Sequence, residues 1–229
     1  MSKSSDSFET FYSFRKIDSK NPIVFIHGIG LTSAMWDQQI DYLKNYNTIV
    51  YDLIGHGKTP LKNKQISIKN FSKQLLDLIN GLDIKKIHLV GFSLGSLIAR
   101  DFASSHNDRL SSLIIAGTVY KRSEDQKRQI INRYETMKKN KEVSKKRALV
   151  RWFTEKFIGR NPGMYKKIYS MLEKNNHETW LKVYKIFAYH EDDDMSIRQI
   201  KTNSLIVTGE DDVGSKPIMS ENLSRLITG

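Results

Sequence analysis

The chain has 229 residues, 39% hydrophobic and 27% charged, which suits a folded protein with a sizeable core and excludes a disordered tail or a peptide scaffold. It contains no Cys, so disulfides, thiol nucleophiles and Cys-based metal centres are removed together. The net charge is +12, but residues 121–190 carry 19 basic and 7 acidic side chains while the remainder balances at 18 of each. The excess is therefore a property of one segment, not of the whole surface.

Residues 1–20 are polar and Ser-rich, with no apolar stretch of signal-peptide length, and no window nears the roughly 18 apolar residues of a membrane span. The expected location is the cytoplasm. The run Ile23-Val24-Phe25-Ile26, between Pro22 and Gly28, predicts a buried strand, as does Thr48 to Tyr51. Ile68, Phe71, Leu75, Leu78 or Ile79, and Leu82 recur at three- and four-residue intervals and predict a helix that Gly81 helps to end. A strand over Lys86 to Val90 precedes a helix through Leu97, Ile98 and Phe102, and Ser112 to Ala116 is a further strand. From about Tyr120 to His190 the strand pattern gives way to several short helices among many Lys and Arg, broken at Gly159 to Gly163. A strand over Ser204 to Thr208 and a helix through Ile218, Leu223 and Leu226 close the chain. Near-continuous apolar strands alternating with helices predict an α/β fold, a doubly wound and mostly parallel sheet. Its body covers residues 1–119 and 191–229, with a basic helical lid inserted over 120–190.

Gly91-Phe92-Ser93-Leu94-Gly95 matches G-x-S-x-G between a predicted strand and helix, the setting a nucleophile elbow requires. Ser93 is the candidate nucleophile; the plainer reading is a Ser in a Gly-rich turn. Acyl transfer also needs two preorganised N–H donors, and the loop His27-Gly28-Ile29-Gly30 after the first strand can supply one. The backbone N–H groups of Ile29 and Leu94 are the candidates, with the His27 ring ordering the loop. Asp52 to Thr59 ends in G-K-T, but a phosphate loop needs Gly where Asp52 stands and a helix where Pro60 stands, so a nucleotide site is rejected. His56 then orders a loop in preference to binding metal. Gly209-Glu210-Asp211-Asp212 places carboxylates after a late strand, suited either to orienting a catalytic His or to a solvated turn.

These four elements in this order resemble the α/β-hydrolase superfamily, in its cap-bearing esterase, lactonase and carbon–carbon bond hydrolase branch. The likeness spans about Pro22 to Gly229. His27-Gly28 is similar to that family's oxyanion loop, Asp52 to Gly57 to its D-x-x-G-H-G turn and Ser93 to its nucleophile. The stretch His27 to Thr59, with Met35-Trp36-Asp37, is similar to the 3-oxoadipate enol-lactonases. The resemblance implies that Asp212 is the acid, with Asp211 in reserve.

One departure stands out. The family's catalytic His lies beyond one further strand after the acid, whereas 17 residues follow Asp212 and the six His residues are His27, His56, His88, His106, His177 and His190. The pattern predicts a chain that stops short of its last strand, that His and the final helix, leaving a strand edge and an apolar sheet face open. Two alternatives stand beside it: a protein that has lost its base, and a lid residue, His177 or His190, that replaces it.

The expected activity is hydrolysis of a small ester, lactone or related carbonyl compound without metal or organic cofactor. The rivals are a non-catalytic ligand receptor on the same fold and a cofactor-free haloperoxidase or perhydrolase with the same triad. The basic lid suits an acidic carrier protein or a coenzyme A thioester, although runs such as Lys138-Lys139-Asn140-Lys141 and Lys145-Lys146-Arg147 also read as solvated helix faces. No aromatic-basic module points to nucleic acid.

Overall fold

A computed structural model describes residues 2–4, 6–62, 65–140 and 143–229, and the side chains of 143–147 lie outside that description. In chain order the elements are β1 (Ser2–Lys3), β2 (Phe11–Arg15), β3 (Ile23–Ile26), α1 (Asp37–Tyr42), β4 (Thr48–Tyr51), α2 (Ile68–Gly81), β5 (Ile87–Phe92), α3 (Leu94–Ser105) and β6 (Leu110–Ala116). Then come α4 (Glu124–Lys139), α5 (Val143–Trp152), α6 (Glu155–Arg160), α7 (Pro162–Lys174), α8 (His177–Ala188), α9 (Asp194–Ile197), β7 (Ser204–Val207) and α10 (Pro217–Ser224). The strands form one sheet in the order β1-β2-β4-β3-β5-β6-β7, parallel from β4 to β7.

The parallel strands are those their apolar runs predict. The antiparallel pair β1 and β2 is an addition that the polarity of residues 1–20 conceals. Tyr12 pairs with Tyr51 and Phe14 with Ile49, so β2 is recruited by an open edge of β4, and its five residues stay only half-buried. Alternating strand residues divide the core. Val24, Ile26, Ile49 and Leu89 pack with Phe71, Leu75, Leu78 and Ile79 of α2 and Leu97, Ile98 and Phe102 of α3. On the opposite face Phe25, Val50 and Val90 meet Trp36 in a smaller cluster. Beside that cluster runs a groove bordered by Ile23, Tyr46, His88 and Ile114. β7 is an edge strand on which Leu205 is 55% and Val207 47% exposed.

Helices α4 to α8 follow one another between β6 and β7. The start of α4 is set by a capping box, in which Gln126 N–H donates to Ser123 Oγ at 3.2 Å and Ser123 N–H to Gln126 Oε1 at 2.9 Å. Pro162 opens α7, where its missing N–H leaves no intrahelical bond unmade. Lys138 and Lys139 are exposed, while Lys141, Lys145, Lys146 and Arg147 fall outside the described side chains.

The two ends of this helical segment are joined to α3 by the buried Arg100. Its guanidinium donates to Val119 O at 2.8 Å and to Asp192 Oδ1 at 2.5 Å, and Asp192 Oδ2 accepts the Lys121 N–H at 2.8 Å. Among the described residues no helix is long and apolar enough to cross a membrane.

Candidate active site

Every predicted site residue lies at the carboxyl ends of the parallel strands, where open α/β sheets leave a crevice for ligands. Between β5 and α3 the chain turns at Ser93, whose φ of 54° and ψ of −115° put a non-glycine residue in strained backbone. The flanking glycines are required by close approach. A Cβ on Gly91 would lie 2.3 Å from Gly95 O, and one on Gly95 would lie 2.4 Å from Ile26 O and 2.8 Å from His27 O. Helix α3 is thereby pressed onto β3 and β5, with Ser93 raised at the turn. Leu94 is the first helical residue, so its N–H has no acceptor within the helix and lies at the positive end of the helix dipole.

The loop after β3 comes up against this turn. A Cβ on Gly28 would stand 3.3 Å from Ser93 Cβ and 3.1 Å from Phe92 Cδ1, so a larger residue would push these side chains aside by a few tenths of an ångström. Its shape is held by buried polar groups. His27 Nδ1 contacts Gly28 O at 2.8 Å and its Nε2 accepts the Leu53 N–H at 2.9 Å. His56 Nε2 accepts the Gly30 N–H at 3.0 Å. Asp52 accepts the Ser33 N–H through Oδ1 and the Lys58 N–H through Oδ2, at 2.8 and 2.9 Å. His27, Asp52 and His56 thus tie the loops after β3 and β4 together.

Both imidazoles are held neutral. Burial pushes His27 down to about 4, and burial together with the nearby His27 pushes His56 down to about 3, from 6.5. Below pH 6.5 the unfolded chain takes up protons that the folded chain refuses, so stability falls as pH drops from 6.5 towards 4 and then 3. Between pH 7 and 5 the two together account for up to about 4 kcal/mol. The urea midpoint should fall over that interval, and His56→Gln should make the fall shallower. A midpoint unchanged between the two pH values would contradict the assignment.

Asp212 lies in the loop after β7. Its Oδ1 accepts the Gly214 and Ser215 N–H groups, each at 2.8 Å, and Ser215 Oγ donates to Gly117 O at 2.9 Å, which ties this loop to the end of β6. Gly117 has a φ of 55°, and a Cβ there would lie 3.2 Å from Phe92 Cε2 and 4.0 Å from Asp212 Oδ2. Asp211 is exposed. Ser93, Ile29, Gly117 and Asp212 border one cavity of about 290 Å³.

Among the described residues that border this cavity there is no histidine. Besides His27 and His56, His88 meets Ser112 Oγ at 2.8 Å, and His106 lies against Phe102 with ring centroids 4.9 Å apart. His177 lies beside Trp180, and His190 Nε2 is 3.6 Å from Asp192 Oδ1. Among the described residues no cluster of His, Asp and Glu could hold a metal ion.

The cavity's other wall is supplied by residues that the sequence motifs do not single out: Arg122, Gln126, Gln129, Arg133, Arg151 and Tyr184. A signal is present, since 126, 129 and 133 follow helical spacing along one face of α4. It is masked by the surrounding Lys and Arg.

The chain matches the alpha/beta hydrolase fold family over residues 21–229. It is 29% identical over 203 residues to the (E)-2-((N-methylformamido)methylene)succinate hydrolase of Acinetobacter baylyi, covering 87% of this chain and 75% of that protein. It is 26% identical to 3-oxoadipate enol-lactonase 2 of the same organism, covering 83% and 71%. Among solved structures, the enol-lactonase of Burkholderia xenovorans LB400 superposes with a TM-score of 0.86 at 21% identity, covering 96% of this chain and 85% of that one. A hydrolase from Pseudomonas aeruginosa PA01 gives the same TM-score and identity, covering 96% and 83%.

Proposed function

The chain belongs to the alpha/beta hydrolase family, and from that premise we propose that it hydrolyses a small ester, lactone or related carbonyl compound through an acyl-enzyme on Ser93. The observation that carries this reading is the strained turn at Ser93, opening into the cavity that Asp212 also borders. Ser93 Oγ bonds to the carbonyl carbon as its proton passes to an imidazole base. The N–H groups of Ile29 and Leu94 hold the oxyanion, and the leaving group takes the proton from the imidazolium. Water, activated by the same base, then releases the acid. Asp212 orients the imidazole and stabilises its charged form.

In this reading the base is a histidine that does not belong to residues 1–229, and what supports it is that no histidine stands among the described residues bordering the cavity. The segment 120–190 acts as a lid that shapes the acyl pocket and keeps water out. Two relatives, a succinate-derivative hydrolase and an enol-lactonase, support the substrate class.

The reading is tested by incubating the chain with p-nitrophenyl acetate and added imidazole, which supplies the base, and then mapping peptides by mass spectrometry. One acetyl group on the peptide containing Ser93 is expected. An acetyl group found only elsewhere, or none, would remove Ser93 as the nucleophile.

A further inference from the structure

Arg122, Arg133 and Arg151 come from three places in the helical segment, and all border the cavity that Ser93 enters. Arg122 precedes α4, Arg133 lies two turns along it and Arg151 is near the end of α5. Among the described residues none of the three is within 4 Å of a carboxylate, whereas other cations of the same segment, such as Lys127, Lys138, Lys167 and Lys182, are paired. Arg122 donates to Phe187 O at 3.0 Å and its guanidinium lies 4.6 Å from the Phe187 ring, while its other terminal nitrogen, Nη2, is buried without a hydrogen-bond partner. Burial holds Arg122 below the ordinary arginine value, against the opposing charge of Asp192. Arg133 sits against the Tyr184 phenol. Arg151 is exposed on its outer side, and partial desolvation, then the charge of Arg133, lowers it.

Like charges gathered around a small cavity repel one another and lose hydration, and an unpaired buried donor adds a further cost. Among the described residues Asp212 is the one carboxylate bordering the cavity, and its Oδ1 is already taken by two backbone N–H groups. Asp192 and Glu191 act on Arg122 from outside the cavity, so within it the natural counter-charge for the three arginines is an anionic ligand. Guanidinium forks bind carboxylates in a bidentate manner, fixing orientation as well as supplying charge. A cavity of about 290 Å³ is at the small end for ligand sites and suits a small acyl group.

We propose that Arg122, Arg133 and Arg151 form an anion subsite that selects small substrates carrying one or more free carboxylates beside the scissile acyl group. The proposal rests on the hydrolase reading for the word substrate, but the subsite itself is a matter of binding. With the carboxylate held on the arginines, the acyl carbon is directed to the opposite wall, where Ser93 stands. The basic excess of the segment also draws anions towards the mouth of the cavity.

Calorimetric titration of the chain with succinate, with uncharged succinamide and with inorganic phosphate tests this without turnover. Succinate should bind at least about tenfold tighter than succinamide and more tightly than phosphate. Arg133→Gln and Arg151→Gln should each weaken succinate about tenfold while leaving near-ultraviolet circular dichroism unchanged, and Arg133→Lys should recover part of the loss. Equal binding of succinate and succinamide, on the unsubstituted chain and so independent of any folding defect, overturns the proposal. Tighter binding of phosphate overturns its carboxylate preference. A succinate preference without an acetyl group on Ser93 removes the hydrolase reading alone. An acetyl group on Ser93 without a succinate preference removes the subsite alone.

Discussion

Ser93→Ala is expected to lower ester hydrolysis by on the order of 10⁶-fold when a histidine base reaches the cavity, and by far less in residues 1–229 on their own. The contrast follows from how a triad works. Nucleophile and base act as one unit, so losing either costs nearly as much as losing both, and what survives is roughly 10³ to 10⁴ over water from oxyanion stabilisation and binding. If no imidazole of residues 1–229 serves Ser93, that chain already sits near this floor and has little left to lose. Steady-state hydrolysis of p-nitrophenyl acetate by the chain, by its Ser93→Ala variant, and by both supplied with a base settles the matter. A collapse of the full size in residues 1–229 alone would mean that one of the six histidines is the base. No loss in the presence of a base would remove Ser93 from the reaction.

The second large effect is on the scaffold that holds the turn. Gly95→Ala puts a Cβ 2.4 Å from Ile26 O and 2.9 Å from Ile26 C, both backbone atoms of β3, which cannot move aside as a side chain can. Helix α3 must lift from the sheet. Overpacking of this kind costs about 1–3 kcal/mol, or roughly 2–12 °C in Tm for a chain of this size. The same displacement carries Leu94 N–H and Ser93 away from the loop after β3, so the acylation rate should fall together with stability. Gly81→Ala is the control, because nothing lies within 4 Å of its Cβ position at the end of α2. That substitution should be neutral or stabilising by up to about 1 kcal/mol. Equal melting temperatures for the two variants would show that the close contact at Gly95 relaxes without strain.

The parallel half of the sheet was legible because its strands are covered on both faces and read as unbroken apolar runs, Ile23 to Ile26 being the plainest. Strand β2 was not. Phe11, Tyr12 and Phe14 lie in a polar stretch and become a strand only by pairing with β4. The Ser93 turn was readable from local sequence, since its two glycines answer to contacts made within a few residues and with the adjacent strand. Asp212 and Asp211 could not be separated by neighbouring sequence, and the backbone folds one into the cavity wall and leaves the other exposed.

The charge shows the division most clearly. Sequence alone determined that the excess belongs to residues 121–190, because counting needs no coordinates. It also placed a Gly-x-Ser-x-Gly turn between a strand and a helix and a pair of carboxylates after a late strand. Only the tertiary structure decided which cations matter to the cavity. Lys138, Lys139 and Arg133 share one helix, but its rotation leaves the two lysines in water and brings Arg133 beside Arg122, Arg151 and the wall opposite Ser93. Helical spacing specifies which side chains share a face. What that face meets depends on packing between segments distant in sequence, and that is where a run of basic residues becomes a site.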